Sequence, residues 1–231
     1  MNIERLVDLY TLIIRSRLID FKTYVGNIEE NFENQAKQVE EVLDQYRQEE
    51  VDEEWEREFE QETDTFLELH GNYKNDFPEI MRSSMLISVY SFFESELVRE
   101  CKPTKNGLAL SDISGGSVIE KAKKFLEKVK EVDFPANNEH WKFMREVTLI
   151  RNCFVHSGGS INRDSKKNKL QNIIDDMKNI HVSPFGKIVI EKGFVEEMID
   201  HVDAFLFELL VQTKVNQEVS KIKESISQLV E

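Results

Sequence analysis

The 231 residues are 40% hydrophobic, enough for a buried core, and 32% charged, with only 9 glycines and 4 prolines, a composition that favours helices over sheets. The net charge of −14 is unevenly spread: residues 26–70 hold 17 acids against 3 bases, which leaves the remainder balanced at 27 of each sign and free to carry a basic groove. No apolar run approaches the roughly 20 residues of a membrane span, and two distant cysteines, Cys101 and Cys153, make neither a disulfide framework nor a zinc site. A protein of the reducing cytoplasm is therefore expected, with no membrane contact and no metal or other cofactor.

The N-terminus, Met1-Asn2-Ile3-Glu4-Arg5, lacks the layout of a signal peptide. Residues 1–25 read as an N-terminal packing helix, with Ile3, Leu6, Val7, Tyr10, Ile13, Ile14, Leu18 and Phe21 at helical spacing. Residues 26–72 read as an acidic helical arm, a long helix or a helix pair. Its sparse apolar positions (Phe32, Ala36, Val39, Val42, Leu43, Tyr46, Val51, Trp55, Phe59, Phe66) drift between spacings of three and four, as along a two-helix seam. A bend is expected near 48–54, and His70-Gly71-Asn72 reads as a stop. The arm is a solvated face by default; the sharper reading gives its carboxylates a basic partner, or an inhibitory place near a nucleic-acid groove.

Residues 73–216 read as the core. Asn75-Asp76-Phe77-Pro78-Glu79 is a helix start, and the helix that follows, to about Arg99, carries apolar residues almost all round. Ser84, Ser88, Ser91 and Ser95 form a row of small residues along which the helix that carries Arg151, or that helix of a second copy, is expected to pack. Glu94 lies within this apolar element and needs a partner if buried, Arg151 or Arg145 being the candidates. A helix is expected from Ser117 to Val132, with lysines and glutamates mixed on its outer face. After the Phe134-Pro135 linker, Asn137 or Asn138 caps the next helix.

That helix carries the chemistry. Phe143, Val147, Ile150 and Phe154 form its inner stripe; Arg145, Leu149, Asn152 and His156 form a second, bordered by Arg151, and Gly158-Gly159 stops it. Beyond lies Ser160 to Leu170, a polar, irregular stretch with four positive charges against one negative, where Lys166, Lys167 and Lys169 are candidate phosphate contacts. Lys187–Glu191 is the one good strand candidate, paired with His181-Val182 in at most a short β-hairpin over 181–191. A helix from Gly193 to about Asn216 and a C-terminal helical tail, 217–231, complete the chain, so the fold class is all-α, an antiparallel helical bundle.

The sequence has no HExxH, no CxxC pair and no tight cluster of carboxylates on one helix for a two-metal nuclease site, and no GxxxxGK[ST] or GxSxG for a phosphate loop or an esterase elbow. Arginine, asparagine and histidine remain. They suit metal-free RNA cleavage, where the ribose 2′-OH is an internal nucleophile, an imidazole moves the proton and a guanidinium meets the phosphorane charge.

Arg151-Asn152-Cys153-Phe154-Val155-His156 resembles the R-x4-6-H motif of the HEPN superfamily, in which a polar residue follows the arginine. The resemblance spans about residues 78–215 and implies an HEPN-type bundle, a homodimer, and a composite catalytic site of two Arg151, two Asn152 and two His156, with Glu94 and Arg145 in support. It further implies an RNA substrate cut to a 2′,3′-cyclic phosphate and a 5′-hydroxyl, in a toxin or antiviral role with an antitoxin or regulatory partner. Dimerisation would answer a geometric difficulty: Arg151 and His156 stand about 140° apart on an ideal helix. A non-catalytic HEPN-like dimeric module that binds RNA or protein is the alternative, and a helical scaffold in which the motif is coincidental is a third.

Overall fold

The computed structural model describes residues 9–46, 56–104 and 107–230, and these are mostly helical with one small antiparallel hairpin. Helix α1 (Leu9–Tyr46) is continuous where the periodicity suggested two elements. Gly26 has no neighbour within 4 Å of where a Cβ would stand, so it neither breaks the helix nor marks a close approach. Along α1, Ile14, Leu18 and Val25 face inward, whereas Ile13, expected inside, is exposed. The first apolar positions of the N-terminal helix and the bend near 48–54 lie outside the described residues.

Helix α2 (Glu56–Gly71) packs back on α1, with Tyr46 stacked on Phe59 at 5.2 Å and set against Phe66 at 5.5 Å. The expected stop at Gly71 is absent. The chain passes through a π-helical turn, Asn72–Asp76, straight into α3 (Phe77–Glu100), and Asp76 has helical φ/ψ and no side-chain cap. Here a π turn, with its extra residue, replaces the break that the glycine and the capping pair suggested.

Helix α3 is the hub. Met85, Leu86, Val89, Tyr90, Phe93 and Leu97 are buried on it. Helices α5 (Glu139–Ser157) and α7 (Phe194–Val230) bring Trp141 and Phe205 to Phe93; Phe205 lies 5.3 Å from Trp141 and 5.7 Å from Phe93, ring centre to ring centre. Phe134 closes this aromatic cluster edge-on to Trp141. Helix α4 (Val118–Lys128) covers one side, started by Ser117, whose hydroxyl accepts the Glu120 N–H. Its Ile119, Ala122, Phe125 and Leu126 are buried beneath it.

Three ion pairs tie the layers. Arg82 of α3 grips the buried Glu29 of α1 at both oxygens, at 2.6 and 2.8 Å, and donates to the Ile190 carbonyl at 3.2 Å. On the far side, Arg15 donates to Asp203 and Lys22 to Asp200, which holds α1 antiparallel to α7. Strands β1 (Ile180–Val182) and β2 (Ile188–Ile190) pair in the register Ile180–Ile190, His181–Val189 and Val182–Ile188, as the strand pattern implied.

The stretch beyond the Gly-Gly stop is more ordered than its composition suggests. Ile161–Arg163 is a 3-10 turn, and α6 (Lys167–Asp175) follows, anchored by the buried Leu170 and Ile174. Lys167 and Lys169 are therefore helical rather than on an irregular loop. The mixed sequence hides an i, i+4 apolar pair too short to stand out from the surrounding lysines.

The start of α5 also meets α7 through two imidazoles. His140 and His201 approach Nδ1 to Nδ1 at 2.9 Å, so one ring donates the proton and the other accepts it. Phe143 lies flat against His201 at 4.0 Å. Burial and the neighbouring His140 hold His201 below its ordinary value of 6.5, against the opposing pull of Glu197, Glu139 and Asp200. The folded state thus prefers His201 neutral. Its contribution to stability is present above the unfolded pKa and is lost as pH falls through the lowered folded value. Thermal melts between pH 7.5 and 5 are expected to show a falling Tm that is blunted in His201→Gln; an equal fall in both would remove the histidine pair as its source.

Candidate functional site

Helix α5 begins with Asn138, whose side chain accepts the Trp141 N–H at 2.7 Å. It ends at Gly158 and Gly159, at φ of 60° and 75°, whose N–H groups return to the carbonyls of Phe154 and Cys153. Both ends are legible in the sequence, and they fix the rotation of the helix. Val147 and Ile150 point into the core, with Phe143 and Phe154 at its edge. The second stripe faces outward. Leu149, Asn152 and His156 line an open cleft of about 440 Å³ against Arg163, Asp164, Ser165, Lys166 and Leu170. Leu149 and Asn152, with Arg145, also line a neighbouring cleft of about 570 Å³ that adds Lys142, Lys166 and Lys169.

The two hollows share Leu149, Asn152 and Lys166, and together they form a groove between α5 and α6. Its charge balance is positive. Among the described residues Arg163, Lys166 and Lys169 have no ion-pair partner, whereas Asp164 accepts the Lys166 backbone N–H at 2.7 Å just ahead of α6. His156 is exposed in this groove and Asn152 is half-buried. Lys167 is turned aside to Asn162, at 2.7 Å, and lines neither cleft.

Arg151 takes another direction. Its guanidinium lies over the Tyr90 ring, 5.3 Å from the centre, and Nη1 donates to Asn152 Oδ1 at 3.1 Å. Its Nε is buried without a hydrogen-bond partner. Tyr90 is held in turn by Thr148 at 3.2 Å, while Thr148 donates to the Met144 carbonyl. Burial pushes the Tyr90 phenol up, and it feels both Glu94 and Arg151. Arg151 lines neither cleft, so within one chain it does not share the cavity of His156; Asn152 is the residue between them.

The expected support from Glu94 and Arg145 takes another form. Arg145 pairs with Glu120 of α4 at 2.7 Å and Glu94 forms no ion pair among the described residues, because the half-exposed Glu94 is solvated and needs none. The serine row does not receive α5 either. Ser84, Ser88, Ser91 and Ser95 are all exposed, and α5 meets α3 instead on the Tyr90 side. Cys153, inside the motif, is buried, and its thiol is pushed up to about 11, chiefly by that burial; Cys101 rises to about 12 for the same reason. Neither is a nucleophile at neutral pH. Among the described residues no three His, Cys, Asp or Glu side chains converge to hold a metal ion, and no helix is long and apolar enough to cross a membrane. Sequence reasoning missed Arg163, whose place on the groove depends on the turn that follows Gly159.

No family model, curated protein or solved structure matches the chain.

Proposed function

We propose that the protein is a metal-independent endoribonuclease of HEPN type that acts as a homodimer on RNA. The observation that carries this reading is the groove at the C-terminal end of α5, where an exposed imidazole, an amide and unpaired cations face one open space. His156 takes the 2′-OH proton or protonates the leaving 5′-oxygen, and Asn152 orients the phosphate or the Arg151 fork. The attacking 2′-oxygen forms the bond to phosphorus as the 5′-oxygen leaves, which yields a 2′,3′-cyclic phosphate and a 5′-hydroxyl.

The second protomer supplies what one chain keeps apart. The outward face of α3 bears Ile80, Ser84, Ile87, Ser91, Ser95 and Val98 around the single charge of Glu94, on a protein that is 32% charged. Arg151 of α5 lies over Tyr90 of α3, and Val155 of α5 is exposed. A copy seated there brings a second Arg151 and His156 to the same place. Purified protein is expected to cut single-stranded RNA in excess EDTA and to leave cyclic-phosphate ends. Cleavage abolished by the chelator would reject the metal-free mechanism.

One observation favours a second reading. Arg151 is turned to Tyr90 and away from the cleft of His156, as in a dimeric HEPN-like module that binds RNA or protein without cutting. Expression separates the two: a nuclease arrests growth unless Arg151 or His156 is replaced, whereas a binding module is tolerated in every form. A toxin or antiviral role, with an antitoxin or other regulatory partner in the cytoplasm, belongs to the first reading.

A further inference from the structure

Phe185 is 88% exposed, more than any other large apolar side chain described. It sits at the tip of the β1–β2 hairpin, and the backbone there is held firmly. Gly186 N–H donates to Ser183 O and Ser183 N–H to Lys187 O, both at 2.8 Å. The tip is also clamped to the turn before α6: Ile161 N–H donates to Gly186 O at 2.9 Å, and Asn162 Nδ2 donates to Phe185 O at 3.4 Å. A Cβ at Gly186 would stand 2.1 Å from Asn162 Nδ2, and φ there is +77°, so the approach admits only glycine. The next residue after Asn162 is Arg163, which lines the His156 cleft with Lys166 and Asp164 and makes no ion pair among the described residues.

A hydrogen-bonded loop thus presents an aromatic ring to water, and its backbone is joined to the turn that carries the unpaired Arg163. Aromatic faces take any unstacked base, and cations take the sequence-independent phosphate. We propose that the hairpin tip and the turn before α6 form one nucleotide-binding unit for single-stranded RNA, in which Arg163 and Lys166 hold a backbone phosphate and Phe185 stacks on the adjoining base. Duplex RNA is a poor ligand for it, because paired bases are already stacked. The inference rests on the RNA reading of the same groove but not on its chemistry.

The test is fluorescence anisotropy with a labelled 2′-O-methyl RNA octamer, which lacks the 2′-OH nucleophile. Phe185→Ala and Arg163→Gln are each expected to weaken binding about tenfold without changing the melting temperature, and Arg163→Gln to lower the salt slope by about one. Phe185→Trp is expected to keep wild-type affinity, with indole fluorescence quenched on binding. The proposal is overturned if the wild type does not bind the octamer, or if Phe185→Ala and Arg163→Gln bind it as well as wild type. A wild type that binds through these residues yet never cuts RNA removes the nuclease reading and leaves this one standing.

Discussion

His156→Ala is expected to slow RNA cleavage by about two to four orders of magnitude, the usual worth of a positioned general acid or base. The fold should not notice. His156 is exposed on the last turn of α5, takes no hydrogen bond from the core and precedes a glycine stop that is set by the backbone. Arg151→Ala is expected to cost cleavage a comparable amount but to act differently. It empties the face of Tyr90, so a small loss of stability accompanies the loss of rate. Arg151→Lys should not rescue it, because an ammonium lacks the planar fork that meets two phosphate oxygens. Cleavage rates on a fluorogenic RNA, paired with thermal melts, check both. Wild-type rates in His156→Ala would end the assignment of His156 as the proton-transfer group, whatever happens at Arg151.

Glu29→Ala is expected to be the most damaging single change to the fold, at about 3–5 kcal/mol. Glu29 is 2% exposed and meets Arg82 in a two-point grip, and Arg82 also binds the Ile190 carbonyl. Alanine would leave the guanidinium between α1, α3 and β2 without its two-point partner. Glu191, at 3.9 Å and half in solvent, is the remaining ion-pair partner among the described residues, with Glu196 acting from farther off. The pair need not be stabilising relative to an apolar core, since taking two charges out of water is costly. Hence the double variant Glu29→Leu/Arg82→Met is expected to recover much of the loss. Urea denaturation would read both, and a double variant no better than Glu29→Ala would show that the space cannot be repacked with apolar groups. Because β2 leads to the hairpin and the hairpin clamps the turn before α6, the same ion pair indirectly positions the groove.

Much of this molecule was legible in the residues because it follows from local rules. The helical character, the hairpin at 180–190, the Asn138 start and Gly-Gly stop of α5, and the division of α5 into an apolar stripe and a Leu149–Asn152–His156 stripe are matters of spacing and φ preference. The errors share a cause. Gly71 and Asn75-Asp76 carry break signals, yet the packing of α1, α2 and α3 against one another carries the chain through a π turn. Local propensity is a weak prior that tertiary contacts override. Arg145 is one candidate partner for Glu94 in the sequence, but pairing depends on the neighbouring helix, and α4 brings Glu120 to Arg145.

By itself, then, the order of residues determined which segments coil, which face of α5 is apolar and where Arg151, Asn152 and His156 sit along it. Only the tertiary structure decided that His156 and Asn152 open into a groove with Arg163 and Lys166, while Arg151 leans the other way onto Tyr90. The reason is geometric. Neighbours on a helix are set by a 100° step that any reader of the sequence can count, but the partner that meets each face comes from chain far away. Gly186 must touch Asn162, and Glu29 must find Arg82, before the groove has a second wall.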